Sequence, residues 1–192
     1  GSKDESRKIL QRLKREVKEL KLVFHKENLG YGGALKSGFK AATKDFVFYT
    51  DGDGQYSVLE LSKLIDKLDG SVDVVQGYKL ERHDPWYRLI IGKSYHIFSK
   101  IMFGLKVRDV DCDFRLIRRK ILEKVDLEYN SGVICVELVK KLQDKKCKFV
   151  EVGVSHFPRK YGHSQFFNYK RIIKTLIELS MLWFNSVLLK KP

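Results

Sequence analysis

The chain has 192 residues, 43% hydrophobic and 12% aromatic with 3 prolines, which is enough apolar material for one compact domain and excludes a disordered polybasic chain. Lys and Arg number 38 against 24 Asp and Glu, a formal charge of +14 dispersed among hydrophobic segments, so anionic partners are expected. Cys112, Cys135 and Cys147 are an odd count without C-x-x-C spacing, which argues against a disulfide scaffold or zinc ribbon and for a reducing, cytoplasmic setting. No run approaches the roughly 18 apolar residues of a spanning helix, and the start of the chain is charged instead of signal-like.

Ser2 followed by Glu5 reads as a capping box, ahead of Ile9, Leu10, Leu13, Val17 and Leu20 at helical spacing. Leu22 to His25 reads as a short strand, then a glycine-rich loop through Gly33 and a helix from Ala34 to Thr43. Phe46 to Tyr49 is a short aromatic run, hence a buried strand ending at Asp51. Ser57 and Glu60 repeat the capping pattern before a helix that Gly70 ends, and Asp73 to Tyr78 follows as a strand. Pro85 suits the first turn of a long helix closed by Gly104. A loop from Asp109 to Asp113 precedes a strand from Phe114 to Ile117, a short helix near Lys120 and a helix from Gly132 to Gln143. The last elements are a strand from Phe149 to Val154, a basic loop from Phe157 to Gln165, and an amphipathic helix from Asn168 to Leu189. Alternating strands and helices imply an α/β sandwich with a largely parallel sheet. Residues 1–165 form the main domain and 166–192 the terminal helix.

Asp51-Gly52-Asp53-Gly54-Gln55 follows the buried strand directly. Side chains two apart in extended backbone share a side, so both carboxylates can converge on one hard cation, Mg²⁺ or Mn²⁺. The same residues also compose a turn. The cluster Gly30-Tyr31-Gly32-Gly33 lacks the Gly that a phosphate loop or dinucleotide fingerprint needs at position 35, where Leu stands, so ATP and NAD are not supported. What remains is a pliable helix entry that either accepts an anion or turns a corner. Asp109-Val110-Asp111-Cys112-Asp113-Phe114-Arg115 sets alternating acids beside an arginine, as a general base or sugar ligand on one reading and a salt-bridge corner on the other. Arg159-Lys160-Tyr161-Gly162-His163-Ser164 suits phosphate oxygens, or is a solvated loop. His25, His83, His96 and His156 share no ligand spacing and read as packing or surface residues. The basic and apolar final helix reads either as interfacial, against an anionic bilayer, or as a core or homo-oligomer helix.

Taken in order, these four segments resemble the family 2 inverting glycosyltransferases, and more narrowly the polyprenyl-phosphate glycosyltransferases. The resemblance implies a GT-A (Rossmann-like) three-layer sandwich with a mainly parallel sheet, a nucleotide-sugar donor, a divalent metal and a polyprenyl-phosphate acceptor. It implies that Asp51 and Asp53 hold the metal and donor diphosphate, with Gln55, Gly32 and Gly33 also at the donor. Arg115, Arg159 and Ser164 match phosphate-contacting positions, and Asp53, Asp109 and Asp113 are the candidate catalytic acids, Asp113 standing where the family has glycine. Members open with two strands that carry nucleoside-binding acids, of which Gly1 to Asp4 matches only the tail, so the resemblance implies an N-terminally truncated sheet whose missing half belongs to a longer gene or is supplied elsewhere. The implied location is peripheral, at the cytoplasmic face of a membrane. The rivals are an inert fragment and a nucleic-acid module. The latter is disfavoured because no binding motif appears and two carboxylates at a strand end repel a polyanion.

Overall fold

The computed structural model describes residues 1–81, 86–159 and 169–189. Four strands, β1 (Phe46–Thr50), β2 (Val74–Lys79), β3 (Phe114–Arg118) and β4 (Phe149–Val154), form one sheet in the order β1-β3-β2-β4. β2 and β4 pair in parallel, whereas β3 lies between β1 and β2 and runs antiparallel to both. Three strands therefore share one direction and the sheet is mixed. The reversal follows from the connection. Helix α4 (Trp86–Phe103) ends at Gly104, whose φ of +62° suits a glycine, and residues 105–113 then enter β3 from the carboxyl ends of β1 and β2.

Alternation along the strands sorts side chains onto two faces. Val47, Tyr49, Val74 and Ile117 pack beneath α2 (Gly30–Ala41), α5 (Arg119–Leu122) and α6 (Ile134–Asp144), meeting Leu35, Phe39, Leu122, Leu138 and Leu142. On the opposite face, Phe46, Phe48, Val75, Phe114 and Leu116 meet Leu64 of α3 (Leu61–Ile65). The layers are helix, sheet, helix. Each fully enclosed Leu, Ile or Phe among them contributes about 1.5–3 kcal/mol. A further cluster beside the sheet joins Phe103 and Leu105 to Val133 and Val136 of the 133–144 region and to Leu179 and Leu182 of α7 (Tyr169–Trp183). The final helix thus shares a core with the rest of the chain. It widens into a π-type turn over Phe184–Leu188.

Several local expectations are corrected. Residues 22–25 form no strand, because no described strand lies beside them to complete a ladder. The glycine cluster is not a loop but the first turn of α2. Neither capping box forms. α1 (Ser6–Glu16) starts too late for Ser2, and Asp4 Oδ1 instead accepts from the Ser6 N–H at 3.1 Å. Glu60 is drawn away by Ser155. Pro85 and residues 160–168, with Ser164 among them, lie outside the described residues.

Candidate active site at the strand ends

β1 ends at Thr50, which pairs with Phe114 at the start of β3. One step beyond that pair, Asp51 and Asp113 face each other across the opening of the sheet. Burial pushes the Asp51 pKa up to about 7, with the neighbouring charges of Asp113 and Asp53 adding to it and Tyr31 and Lys79 opposing it. Asp113 is raised too, by burial first, against the pull of Arg115, Cys135, Tyr31 and Lys79. The two carboxyls titrate as a pair, in which one proton is held more firmly than either acid alone holds it.

What surrounds the pair keeps it in place. The Cys135 thiol, at the start of α6, donates to Asp113 Oδ1 at 3.3 Å, and burial holds that thiol well above its ordinary pKa, so it stays a donor. The Tyr31 hydroxyl is buried toward both acids without a well-formed hydrogen bond to either. Tyr31 is carried there by the tight seat of α2. The Gly32 N–H donates to the Asn130 carbonyl at 2.8 Å, and a Cβ on Gly32 would stand 2.4 Å from the Tyr129 carbonyl oxygen. Gly33 has the same problem with the Leu29 Cβ at 2.6 Å. Gly32 is thus held to glycine by backbone contact and Gly33 by the Leu29 side chain, both within the protein.

Arg115 is fully enclosed. Its guanidinium donates to Gln76 Oε1, to the Tyr49 hydroxyl and, at 3.2 Å, to the Val110 carbonyl, and it stacks 5.4 Å from the centre of the Tyr49 ring. It is a buried counter-charge behind the acids.

Asp53 is the more open acid. Its Oδ1 accepts from the Gln55 N–H at 3.1 Å, and its Oδ2 accepts from Arg159 Nη2 at 2.6 Å. Gly54, at φ +74°, makes the turn that returns Gln55 toward the sheet. Gln55 Nε2 then donates to the Phe157 carbonyl at 3.1 Å and lies 3.3 Å from His156 Nε2. The second and last of the four expected segments in chain order therefore meet in space, with Arg159 on Asp53.

Asp109 goes elsewhere. It is buried, lies 3.8 Å from Lys79 Nζ, and accepts from the Asp111 N–H at 3.2 Å. His96, Asp109 and Asp111 bring one ligand atom each within 4.8 Å of one another, the three-ligand group that the described residues assemble. His96 belongs to α4, the helix that precedes the acids in the chain, and no spacing pattern marks it. A groove of about 400 Å³ between α2 and α5, lined by Lys36, Phe39, Lys40, Arg119 and Leu122 among others, includes none of the acids at the strand ends.

The chemistry of the donor set fits a divalent metal. Asp51 and Asp53 supply hard oxygen donors, and a dication beside them would favour the ionised form of Asp51 that burial, and after it the charges of Asp113 and Asp53, disfavour.

An α/β sandwich with paired carboxylates at the carboxyl end of its edge strand β1 has the architecture of the GT-A fold. Residues 1–126 match the model for glycosyl transferase family 2, and the chain belongs to that family. It is 29% identical over 147 residues to the polyprenol monophosphomannose synthase of Mycolicibacterium smegmatis, covering 71% of this chain and 56% of that protein. It is 26% identical over 180 residues to the undecaprenyl-phosphate 4-deoxy-4-formamido-L-arabinose transferase of an Enterobacter species, covering 93% and 54%. The chain thus spans about half the length of these two relatives. Among solved structures, glucosyl-3-phosphoglycerate synthase of Mycobacterium tuberculosis with Mg²⁺ and uridine diphosphate superimposes with a TM-score of 0.62 at 14% identity, covering 93% of this chain and 65% of that one. The same enzyme with Mn²⁺, UDP-glucose and phosphoglyceric acid gives 0.60. That likeness shows the fold.

Proposed function

We propose that the protein transfers a sugar from a nucleotide-sugar donor to a polyprenyl phosphate, with inversion at the anomeric carbon. The observation that carries this reading is the convergence of Asp51, Asp53, Asp113 and Arg159 at one strand end. The family and the polyprenyl-phosphate enzymes among its relatives support it. A phosphate oxygen of the acceptor forms the new bond to the anomeric carbon as the bond to the nucleoside diphosphate breaks. Asp51 and Asp53 would hold Mg²⁺ or Mn²⁺, which would supply electrostatic stabilisation of the departing diphosphate. Gly32, Gly33 and Gln55 shape the donor side. Arg159, with Ser164 close behind it in the sequence, receives phosphate oxygens once Asp53 is engaged elsewhere, and Arg115 acts from behind the acids.

A phosphomonoester with a second pKa near about 6 is already ionised at neutral pH, so this acceptor needs little base catalysis. A second reading, transfer to a hydroxyl, is favoured by the Asp51–Asp113 pair itself, which holds a carboxyl poised near neutrality. Asp113→Asn and Asp109→Asn separate the two. Phosphate transfer survives them, and hydroxyl transfer falls by about 10²-fold or more. The direct test is release of nucleoside diphosphate with Mn²⁺ and a polyprenyl phosphate. Release that is unaffected by Asp53→Ala defeats the proposal.

Among the described residues no helix is long and apolar enough to cross a membrane. Peripheral binding at a cytoplasmic membrane face is supported instead by α7, which leaves Ile173, Leu176, Ile177 and Met181 exposed on a basic chain. Flotation with liposomes that does not increase with anionic lipid rules this out.

A further inference from the structure

Beyond Val154 the chain leaves β4, and its alternate residues are held by the segment that follows the paired acids. The Ser155 N–H donates to Glu60 Oε2 at 2.9 Å and the Ser155 hydroxyl to Glu60 Oε1 at 2.7 Å. The Phe157 N–H donates to the Gln55 carbonyl at 2.8 Å, and Gln55 Nε2 returns a bond to the Phe157 carbonyl at 3.1 Å. Arg159 completes the series on Asp53. Residues 155, 157 and 159 thus meet 60, 55 and 53 in antiparallel sense. Between them His156 stands edge-on to Tyr56, with ring centres 5.2 Å apart.

Glu60 is the anchor of this series. Burial works to raise its pKa, but the two bonds from Ser155 and the neighbouring Lys63, 3.1 Å away, outweigh burial and hold the carboxyl below its ordinary value. A carboxylate that accepts both donors of one residue fixes that residue's position and orientation. The Arg159 side chain carries about 2 kcal/mol of rotamer entropy, so its delivery to one carboxylate depends on how firmly its backbone is held. Glu60 caps no helix despite its place at the start of one.

We propose that Glu60 is a positioning residue: by clasping Ser155 it braces residues 155–159 along the Asp53–Gln55 turn and so holds Arg159 as an exchangeable partner of Asp53, to be passed to a ligand phosphate when a metal ion takes the carboxylate. This rests on the reading of Asp51 and Asp53 as metal ligands. It assigns the timing of the arginine to a residue that touches neither metal nor substrate.

The test uses the whole chain and Mn²⁺ without nucleotide, comparing wild type with Glu60→Gln, Arg159→Ala and the double variant. Arg159→Ala frees Asp53 and is expected to tighten Mn²⁺ binding about fivefold, a fold-change typical of an ion pair near the surface. Glu60→Gln is expected to tighten it in the same direction, and the double variant to match Arg159→Ala alone. Simple destabilisation predicts the reverse, weaker binding that adds to the arginine effect, and that result overturns the proposal. Exchange of the Phe157 amide is read in parallel, and Glu60→Gln is expected to speed it about tenfold, with a smaller effect from Ser155→Ala. Unchanged exchange overturns the brace. A wild-type chain that binds no Mn²⁺ refutes the metal reading alone, and the Phe157 exchange rate then decides the brace on its own.

Discussion

Asp51 is where function and stability pull hardest against each other. Its pKa rises from 3.8 unfolded to about 7 folded, through burial first and then the charges of Asp113 and Asp53. At about 1.4 kcal/mol for each pKa unit, ionising it within the fold costs at most about 4 kcal/mol, an upper bound because the proton is shared with Asp113. The sign follows from linkage. An acid with a raised folded pKa supports the fold fully below 3.8 and loses that support as pH rises through about 7. Metal-free protein is therefore expected to be less stable at pH 8 than at pH 5 in urea denaturation. Asp51→Asn removes the charge at nearly constant shape, so at pH 8 it should be more stable than wild type by about 1 kcal/mol or more, with a weaker pH dependence. Mn²⁺ at about 100 times its dissociation constant should restore about 2.7 kcal/mol to wild type at pH 8 and nothing to the variant. A variant less stable than wild type at pH 8, or a wild type indifferent to pH over this range, refutes the reasoning.

Three further substitutions probe how the site is supported. Gly32→Ala places a methyl 2.4 Å from the Tyr129 carbonyl oxygen and is expected to cost about 1–3 kcal/mol in urea unfolding, since backbone on both sides must yield. Arg115→Met strands the partners at Gln76, Tyr49 and Val110 and uncovers the charge of Asp113, for a loss of about 3–5 kcal/mol by the same assay. Asp53→Asn weakens both the Arg159 ion pair and the metal site, so Mn²⁺ binding by calorimetry should fall while the melting temperature moves little, as expected for a pair at the surface.

The strands were legible because each is written in local terms. Phe46 to Tyr49 and Phe149 to Val154 alternate between faces or run apolar to a turn, and they occupy β1 and β4 within a residue. The Asp-Gly run after β1 was legible for the same reason. What stayed hidden depended on partners distant in the chain. Residues 22–25 look like a strand, but pairing is not a local property. Gly32 looks like part of a loop, and its need for small size comes from residues 129 and 130, which no window around position 32 contains. Glu60 fits a capping box by spacing, yet Ser155 offers it two donors where the helix start offers one. His96 and Cys135 enter the acidic region from helices, and no spacing rule joins them to Asp109 or Asp113.

The direction of β3 is the step on which the chemistry turns. With β3 antiparallel to β1, the residue before its first position lies against the residue after the last position of β1, and Asp113 meets Asp51. Were β3 parallel to β1, its entry would lie at the opposite edge of the sheet, about 17 Å away for a five-residue strand. Over that distance the screened interaction between the two acids is negligible. Asp51 would lose the neighbour named second only to burial in raising its pKa, and Cys135 and Tyr31 would have no carboxylate pair to face. The concentration of acid that fits a dication on so basic a chain is thus produced by topology, from residues that the sequence keeps far apart.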